Sequence, residues 1–410
     1  MHRVAITGLG VLAPLGLGVD ELMTNVAAGY SGVNVLALPG TERLRSPIGA
    51  PVQFDATRHF APSRLRLLDR VSQLALVASA QAVADSGVQF ADEQPDRCGV
   101  SVGTSLGGAA TTDAGYKIAY GRPTERVHPF SVVAAMTNAP AAWIGIQHAL
   151  SGPNLTYATA CSSSAVALGE AARRIQCGDM DIMIAGGAEA PLTFGVLLGW
   201  DALGVLAAVD AVSPSSSCRP FSANRTGLVL GEGSAFFVLE QWGHAQARGA
   251  VIHAELSGYG LTTDVAHITR PTMEGQACAM QGSLRSAGIH PDQVDYINAH
   301  GTGTAQNDST ETAAIKSVFG KRAYILPVSS TKSMHGHLLG AAGALEFLIA
   351  VASMERNLIP PTMHLDKGDP SCDLDYVPDQ ARTGVTLATV MSNSFAFGGT
   401  NAVLIARRAE

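Results

Sequence analysis

Cys161 stands in ATACSSS, where an extended run ends at Thr159 and a helix-forming stretch begins. A cysteine at a helix start faces the positive end of the helix dipole and unpaired backbone N–H groups, which favour a thiolate nucleophile. The small residues on both sides predict an accessible sulfur. The other five cysteines, at positions 98, 177, 218, 278 and 372, lack that setting and read as small apolar residues. No C-x-x-C pair exists to suggest zinc or dithiol redox chemistry. Two further segments carry candidate partners for a nucleophile. His300 lies in NAHGTGT, and Lys332 and His337 lie in STKSMHGHLLGAAG. Glu346, inside an otherwise apolar helix face, is a candidate ion-pair partner for Lys332. His335 and His337 also have the spacing of a metal pair, but no carboxylate or third histidine accompanies them in sequence, so no metal is expected. Last, NSFAFGGTN offers two glycines where a backbone N–H can face an oxyanion, with Phe397 placed to cap or gate the space below.

The elements that must hold these residues alternate. Short β-branched runs at 4–7, 99–103, 181–185, 294–298, 324–330, 390–393 and 401–406 read as strands. Periodic stretches at 69–86, 135–150, 162–176 and 338–356 read as helices. This order predicts an α/β protein with buried, parallel or mixed sheets. The span 203–225 reads as a long surface excursion. A new strand near Val251 marks the start of a second lobe, dividing the chain into 1–250, with the nucleophile, and 251–410, with the two histidines. ATACSSS and MSNSFAFGGTN each follow a glycine-flanked strand, which hints at two related halves. The segment GLGVLA approximates a dinucleotide fingerprint, yet Pro14 and Gly16 interrupt the helix that motif needs, and no acidic residue follows at the required distance.

Composition fits a large packed core: 47% of the 410 residues are hydrophobic, 15% charged, and 44 are glycine. A net charge of −7 without basic runs argues against a dedicated nucleic-acid binder. MHRVAITGLG enters a strand pattern at once, and no apolar run reaches the length of a membrane span, so a cytoplasmic protein is expected.

Taken in order, ATACSSS, NAHGTGT, STKSMHGHLLGAAG and NSFAFGGTN resemble the β-ketoacyl-[acyl carrier protein] synthases of the thiolase superfamily. The likeness runs from VAITGLGVLAPLG to GGTNAVLIA. It implies a five-layered αβαβα fold of two similar halves and a tight dimer, either a homodimer or a heterodimer with a chain-length factor. It implies that Cys161 takes an acyl group from an acyl carrier protein, with the N–H groups of Cys161 and Phe397 as oxyanion hole. His300 and His337 then promote decarboxylation of malonyl carrier protein, and Lys332 with Glu346 organises them. Thr269, Thr302 and Thr304 match positions that contact the phosphopantetheine arm, and Leu106 and Phe130 match the acyl-pocket wall together with Phe397. The arm arrives on the carrier, so no cofactor of the enzyme's own is expected. The acidic carrier is expected to dock on Arg64, Arg66 and Arg70. Cys-His-His marks an active elongating enzyme, with fatty-acid elongation the first reading and a specialised type II polyketide or polyene pathway the second. His335, the alanine in SFAFGG and Asp201, which stands where a basic carrier contact is usual, depart from the family pattern.

Overall fold

Runs of buried, small or β-branched residues let strands pack with helices on both faces, and ten of them form one sheet. The computed structural model describes residues 1–409 except 122, 123 and 125. The first half supplies β1 (Val4–Leu12), β2 (Cys98–Gly103), β3 (Asn154–Tyr157), β4 (Ile182–Glu189) and β5 (Gly233–Gln241). The second supplies β6 (Ala254–Thr263), β7 (Tyr296–Asn298), β8 (Val328–Ser329), β9 (Thr389–Phe395) and β10 (Thr400–Arg408). The order across the sheet is β8-β7-β9-β10-β6-β1-β5-β4-β2-β3. Read outward from the middle, each half repeats one scheme, two antiparallel neighbours followed by parallel strands. The halves meet at a narrow seam, where β1 and β6 pair only through Ala5 with Glu255 and Ile6 with Ala254.

Helices make the other layers of this five-layered αβαβα fold. On the outer face of the first half lie α1 (Arg70–Ser86) and α2 (Ala139–His148); on that of the second lie α5 (Met273–Ala287) and α6 (Ala305–Phe319). Between the half-sheets pack α3 (Ser163–Gln176) and α7 (Ala342–Arg356), and α4 (Phe194–Leu203) sits at the side of the molecule. Every residue of α7 from Ala342 to Met354 is buried, including Glu346. Close approach explains the small residues of the central layer. A Cβ on Gly103 would collide with the backbone of Ser163 and Ser164, so β2 can lie against the start of α3 only with glycine there.

Several boundaries differ from expectation. The strand expected over 324–330 is only Val328–Ser329, because Pro327 cannot donate to a ladder and Gly320–Tyr324 closes into a 3-10 turn. The helix expected over 135–150 is broken at 136–138, and Pro140 falls in the first turn of its second piece. The segment at 203–225 is a surface excursion as expected at Leu203, 52% exposed, and Val212, 95% exposed, but it is anchored inward at three points. It buries Ala207, Cys218 and Phe221, and Phe221 stacks on Tyr376 at 3.9 Å between ring centroids.

Candidate active site

Cys161 lies in a 3-10 turn, Ala160–Ser162, that leads directly into α3. Ala160 holds φ at +49°, a strained value for a residue with a side chain, and its carbonyl accepts hydrogen bonds from the hydroxyls of Ser105 and Ser163. The turn places Cys161 in the lining of a cleft of about 400 Å³. The sulfur is less open than the sequence suggests, since Cys161 is only 6% exposed. Burial pushes its thiol up to about 12, while the Lys332 charge and the backbone N–H groups of Phe397 and of Cys161 itself act the other way. Desolvation thus outweighs the helix start in the resting protein, which keeps a neutral thiol with two N–H donors beside it.

His300 follows β7 in a loop whose backbone is fixed by one carboxylate. Glu311, buried on α6, accepts from the N–H groups of His300 and Gly301 at 2.8 Å each, and from the side-chain amides of Asn307 and Asn393. Lys332 is fully buried and pairs with Glu346, and its Nζ lies 3.4 Å from Nδ1 of His300. Burial drives both His300 and His337 well below the usual imidazole range, and Lys332 adds to the effect. Both rings are therefore neutral at pH 7.

Their tautomers follow from their partners. An ammonium only donates, so Nδ1 of His300 accepts and the proton sits on Nε2. The backbone N–H of Leu339 donates to Nδ1 of His337 at 3.2 Å, so that ring too carries its proton on Nε2. Nε2 of His337 has no partner among the described residues. The rings meet edge to face, 5.4 Å between centroids, and Cys161, His300 and His337 each offer a ligand-type atom within 4.8 Å of the others. The site is thus a sulfur, two backbone N–H groups and two imidazole N–H donors around one small space. Such a set stabilises an oxyanion and an enolate. The Lys332 ammonium behind His300 disfavours a dication in the same place.

The remaining expected residues divide. Thr269, Thr302, Thr304 and Phe397 line the cleft with the central three, and the hydroxyls of Thr302 and Thr304 are 2.8 Å apart. Leu106 and Phe130 do not line it. Leu106 is 40% exposed, and Phe130 sits in a separate apolar hollow beside Leu67, Met136, Trp143 and Ile146. The His335–His337 pair is split, since both nitrogens of His335 are taken by the Gly336 carbonyl and the Thr331 hydroxyl. Of the three arginines, Arg70 is turned inward onto both oxygens of Glu232 and the Val52 carbonyl, so it is no free docking charge. Arg64 is held by Gln147 near the rings of Phe60 and Trp143, and Arg66 is exposed. Asp201 is not a surface contact either, being buried against Arg45.

Of the buried carboxylates that escaped the sequence reading, two brace loops of this site. Glu311 is one. Glu189, at the end of β4, accepts from the N–H groups of Ser105, Leu106 and Gly340 and from the Thr104 hydroxyl, joining a loop of the first half to one of the second. Their signal was faint, an acidic residue at the edge of a small-residue strand and another on a polar-looking helix.

Residues 1–245 match the family described as "Beta-ketoacyl synthase, N-terminal domain", and residues 253–366 match "Beta-ketoacyl synthase, C-terminal domain". The chain belongs to the β-ketoacyl synthases. It is 42% identical to the "3-oxoacyl-[acyl-carrier-protein] synthase 2" of Coxiella burnetii, with 99% of each chain covered. Among solved structures it resembles "The ishigamide ketosynthase/chain length factor" at a TM-score of 0.92 and 34% identity, and the ketosynthase complex of "AntDE:AntF" at 0.91 and 33%. Both cover all of each chain.

Proposed function

We propose that this β-ketoacyl synthase is an elongating 3-oxoacyl-[acyl-carrier-protein] synthase, and that the convergence of Cys161 with two neutral Nε2–H imidazoles carries the reading. Cys161 attacks the thioester of an acyl carrier protein, the carrier thiol leaves with the proton, and the acyl group remains on sulfur. The N–H groups of Cys161 and Phe397 hold the developing oxyanion. Malonyl carrier protein follows, its arm lying along Thr269, Thr302 and Thr304. The bond to its carboxylate breaks, carbon dioxide leaves, and the electron pair forms an enolate whose oxygen takes hydrogen bonds from His300 and His337. The enolate carbon attacks the acyl carbonyl, and the tetrahedral adduct collapses to β-ketoacyl carrier and the Cys161 thiolate. Lys332, balanced by Glu346, keeps His300 in its Nε2–H form.

The enzyme works in the cytoplasm on carrier-borne substrates and needs no cofactor or metal of its own. Fatty-acid elongation is the first reading, supported by the name and full-length likeness of the curated relative. The solved neighbours with polyketide carriers and chain-length factors support the second, a specialised type II pathway with a chain-length factor as partner. Residues Leu106 and Phe130 form an acyl wall only when a second chain covers their exposed face.

The decisive experiment incubates the protein with an acyl carrier series, then with malonyl carrier protein, and reads intact mass with peptide mapping. An acyl adduct on Cys161 that is discharged as β-ketoacyl carrier is expected. An adduct on another cysteine, or no discharge, overturns the reading.

A further inference from the structure

Phe397, whose N–H faces the Cys161 sulfur, is carried by the short hairpin between β9 and β10, which is closed by Ala396 N–H to the Thr400 carbonyl and Gly399 N–H to the Ala396 carbonyl at 3.0 Å each. Gly398 and Gly399 follow at φ +85° and +82°, and a Cβ on Gly398 would meet nothing within 4 Å. Neighbours on two sides tie the hairpin down. On one side Gly398 N–H donates to the Ile268 carbonyl at 2.7 Å and Asp264 N–H to the Gly399 carbonyl at 2.8 Å. On the other side the Phe397 ring stacks on Trp200, 6.0 Å between centroids and 17° from parallel. The two partners differ in stiffness. Trp200 is fixed by α4 and by an apolar cluster that includes Leu197, Leu228 and Leu339, whereas Ile268 is exposed on an irregular segment. Trp200 and Phe397 both line the cleft above Cys161.

We propose that Trp200 is a positioning residue that latches Phe397 across the entrance to Cys161, so that the aromatic stack sets both access to the sulfur and the aim of the Phe397 N–H. The inference rests on the acyl-transfer reading of the site and adds to it the residue that tunes which chains are admitted. A stacked pair is lost when the Phe397 ring swings aside for an incoming chain. Long or branched acyl groups, which need the larger swing, are therefore penalised most.

The latch makes two quantities move in opposite directions. Trp200→Ala frees Phe397, so alkylation of Cys161 by iodoacetamide, read by peptide mapping to separate it from the exposed Cys177 and Cys278, rises roughly 2- to 10-fold. Acyl loading from a short, straight-chain carrier slows, because the N–H that serves the oxyanion is no longer aimed, and the preference for short over branched chains flattens. Trp200→Phe keeps a stack and restores both. The chain has three tryptophans, at 143, 200 and 242. In a Trp143→Phe, Trp242→Phe background the sole indole reports the latch, and its emission shifts when wild-type Cys161 is acylated. The shift disappears in a Phe397→Ala version of the same protein. Alkylation and loading that fall together, or both stay at wild-type values, or a Trp200→Phe variant that restores neither, overturns the latch. Failure of the wild-type enzyme to load Cys161 at all overturns the acyl-transfer reading instead.

Discussion

Each imidazole at the cleft floor spends its Nδ1 on a donor that cannot be turned around, a backbone N–H for His337 and an ammonium for His300. Neither ring is then a ready base; both are fixed donors, and donors act where negative charge grows. His300→Ala and His337→Ala should each slow carbon dioxide release from malonyl carrier protein by about 10²–10³-fold while slowing acyl loading far less. Stopped-flow release of labelled carbon dioxide beside intact-mass loading checks this, and equal losses in both steps would return the histidines to a general structural role. Cys161→Ala should abolish condensation and leave the fold, by circular dichroism, unchanged. Lys332→Ala leaves Glu346 buried without its cation, and Glu346 already sits up at about 7. Loss of stability is expected with loss of turnover, and Lys332→Ala, Glu346→Gln should recover more stability than turnover. The residues of this centre were legible in sequence because nucleophile, histidines and lysine each fall at the end of a strand in a small-residue turn. Their protonation was not. A helix start argued for a lowered thiol, and only the packing of Cys161, 6% exposed, shows how far burial opposes it.

At the scale of elements, the connection between β5 and β6 carries His253, whose two nitrogens contact Asp85 on α1 at 2.8 Å and Glu355 on α7 at 2.6 Å. Burial lowers the imidazole, but the two carboxylates outweigh it and hold the group up at about 9, above the 6.5 of an unfolded histidine. The sign follows: the folded state binds this proton more tightly, so its contribution is complete below about pH 6.5 and is lost as pH rises through 9. Melting temperature should therefore decline between pH 7 and 9.5, and His253→Gln should be less stable at pH 6 with a flatter profile. A variant profile parallel to the wild type would remove His253 from the account. Sequence periodicity located α1, α3 and α7 well, since their apolar residues recur at helical spacing. It failed at β8, where a lone proline decides the path, and it missed the widely separated anchors within 203–225, Cys218 and Phe221 among them. No local pattern announces that a serine-rich stretch will be pinned by one aromatic ring.

Among the described residues, an apolar face lies open at the first-half edge of the sheet. Phe130, Val132, Met136 and Ile146 lie open on and just before α2, which packs on β3, the strand that ends the sheet on this side with one edge unpaired. A second chain on this face would pair the edge and bury those side chains, and it would turn Leu106 and Phe130 into interior residues. Val132→Asp with Ile146→Asp should give a monomer by analytical ultracentrifugation and lower activity on long acyl chains; a dimer that persists places the interface elsewhere. Of the three arginines expected to dock the carrier, Arg70 is already paired with Glu232, which leaves Arg64 and Arg66 to test. Arg64→Glu with Arg66→Glu should raise the KM for acyl carrier protein several-fold at low salt, and added salt should raise the wild-type KM toward it. Two matching halves were foreshadowed by the paired motifs, but not that Glu189 needs both, taking Ser105 and Leu106 from one and Gly340 from the other. That dependence has a consequence for biogenesis. Residues 1–250 leave the ribosome while Gly340 and the apolar face of α7 do not yet exist, and residues 251–410 take roughly 10–30 s more to be synthesised. Throughout that interval α3 and Glu189 lack their cover, so a nascent chain stalled at residue 250 should be a client of holding chaperones rather than a folded unit.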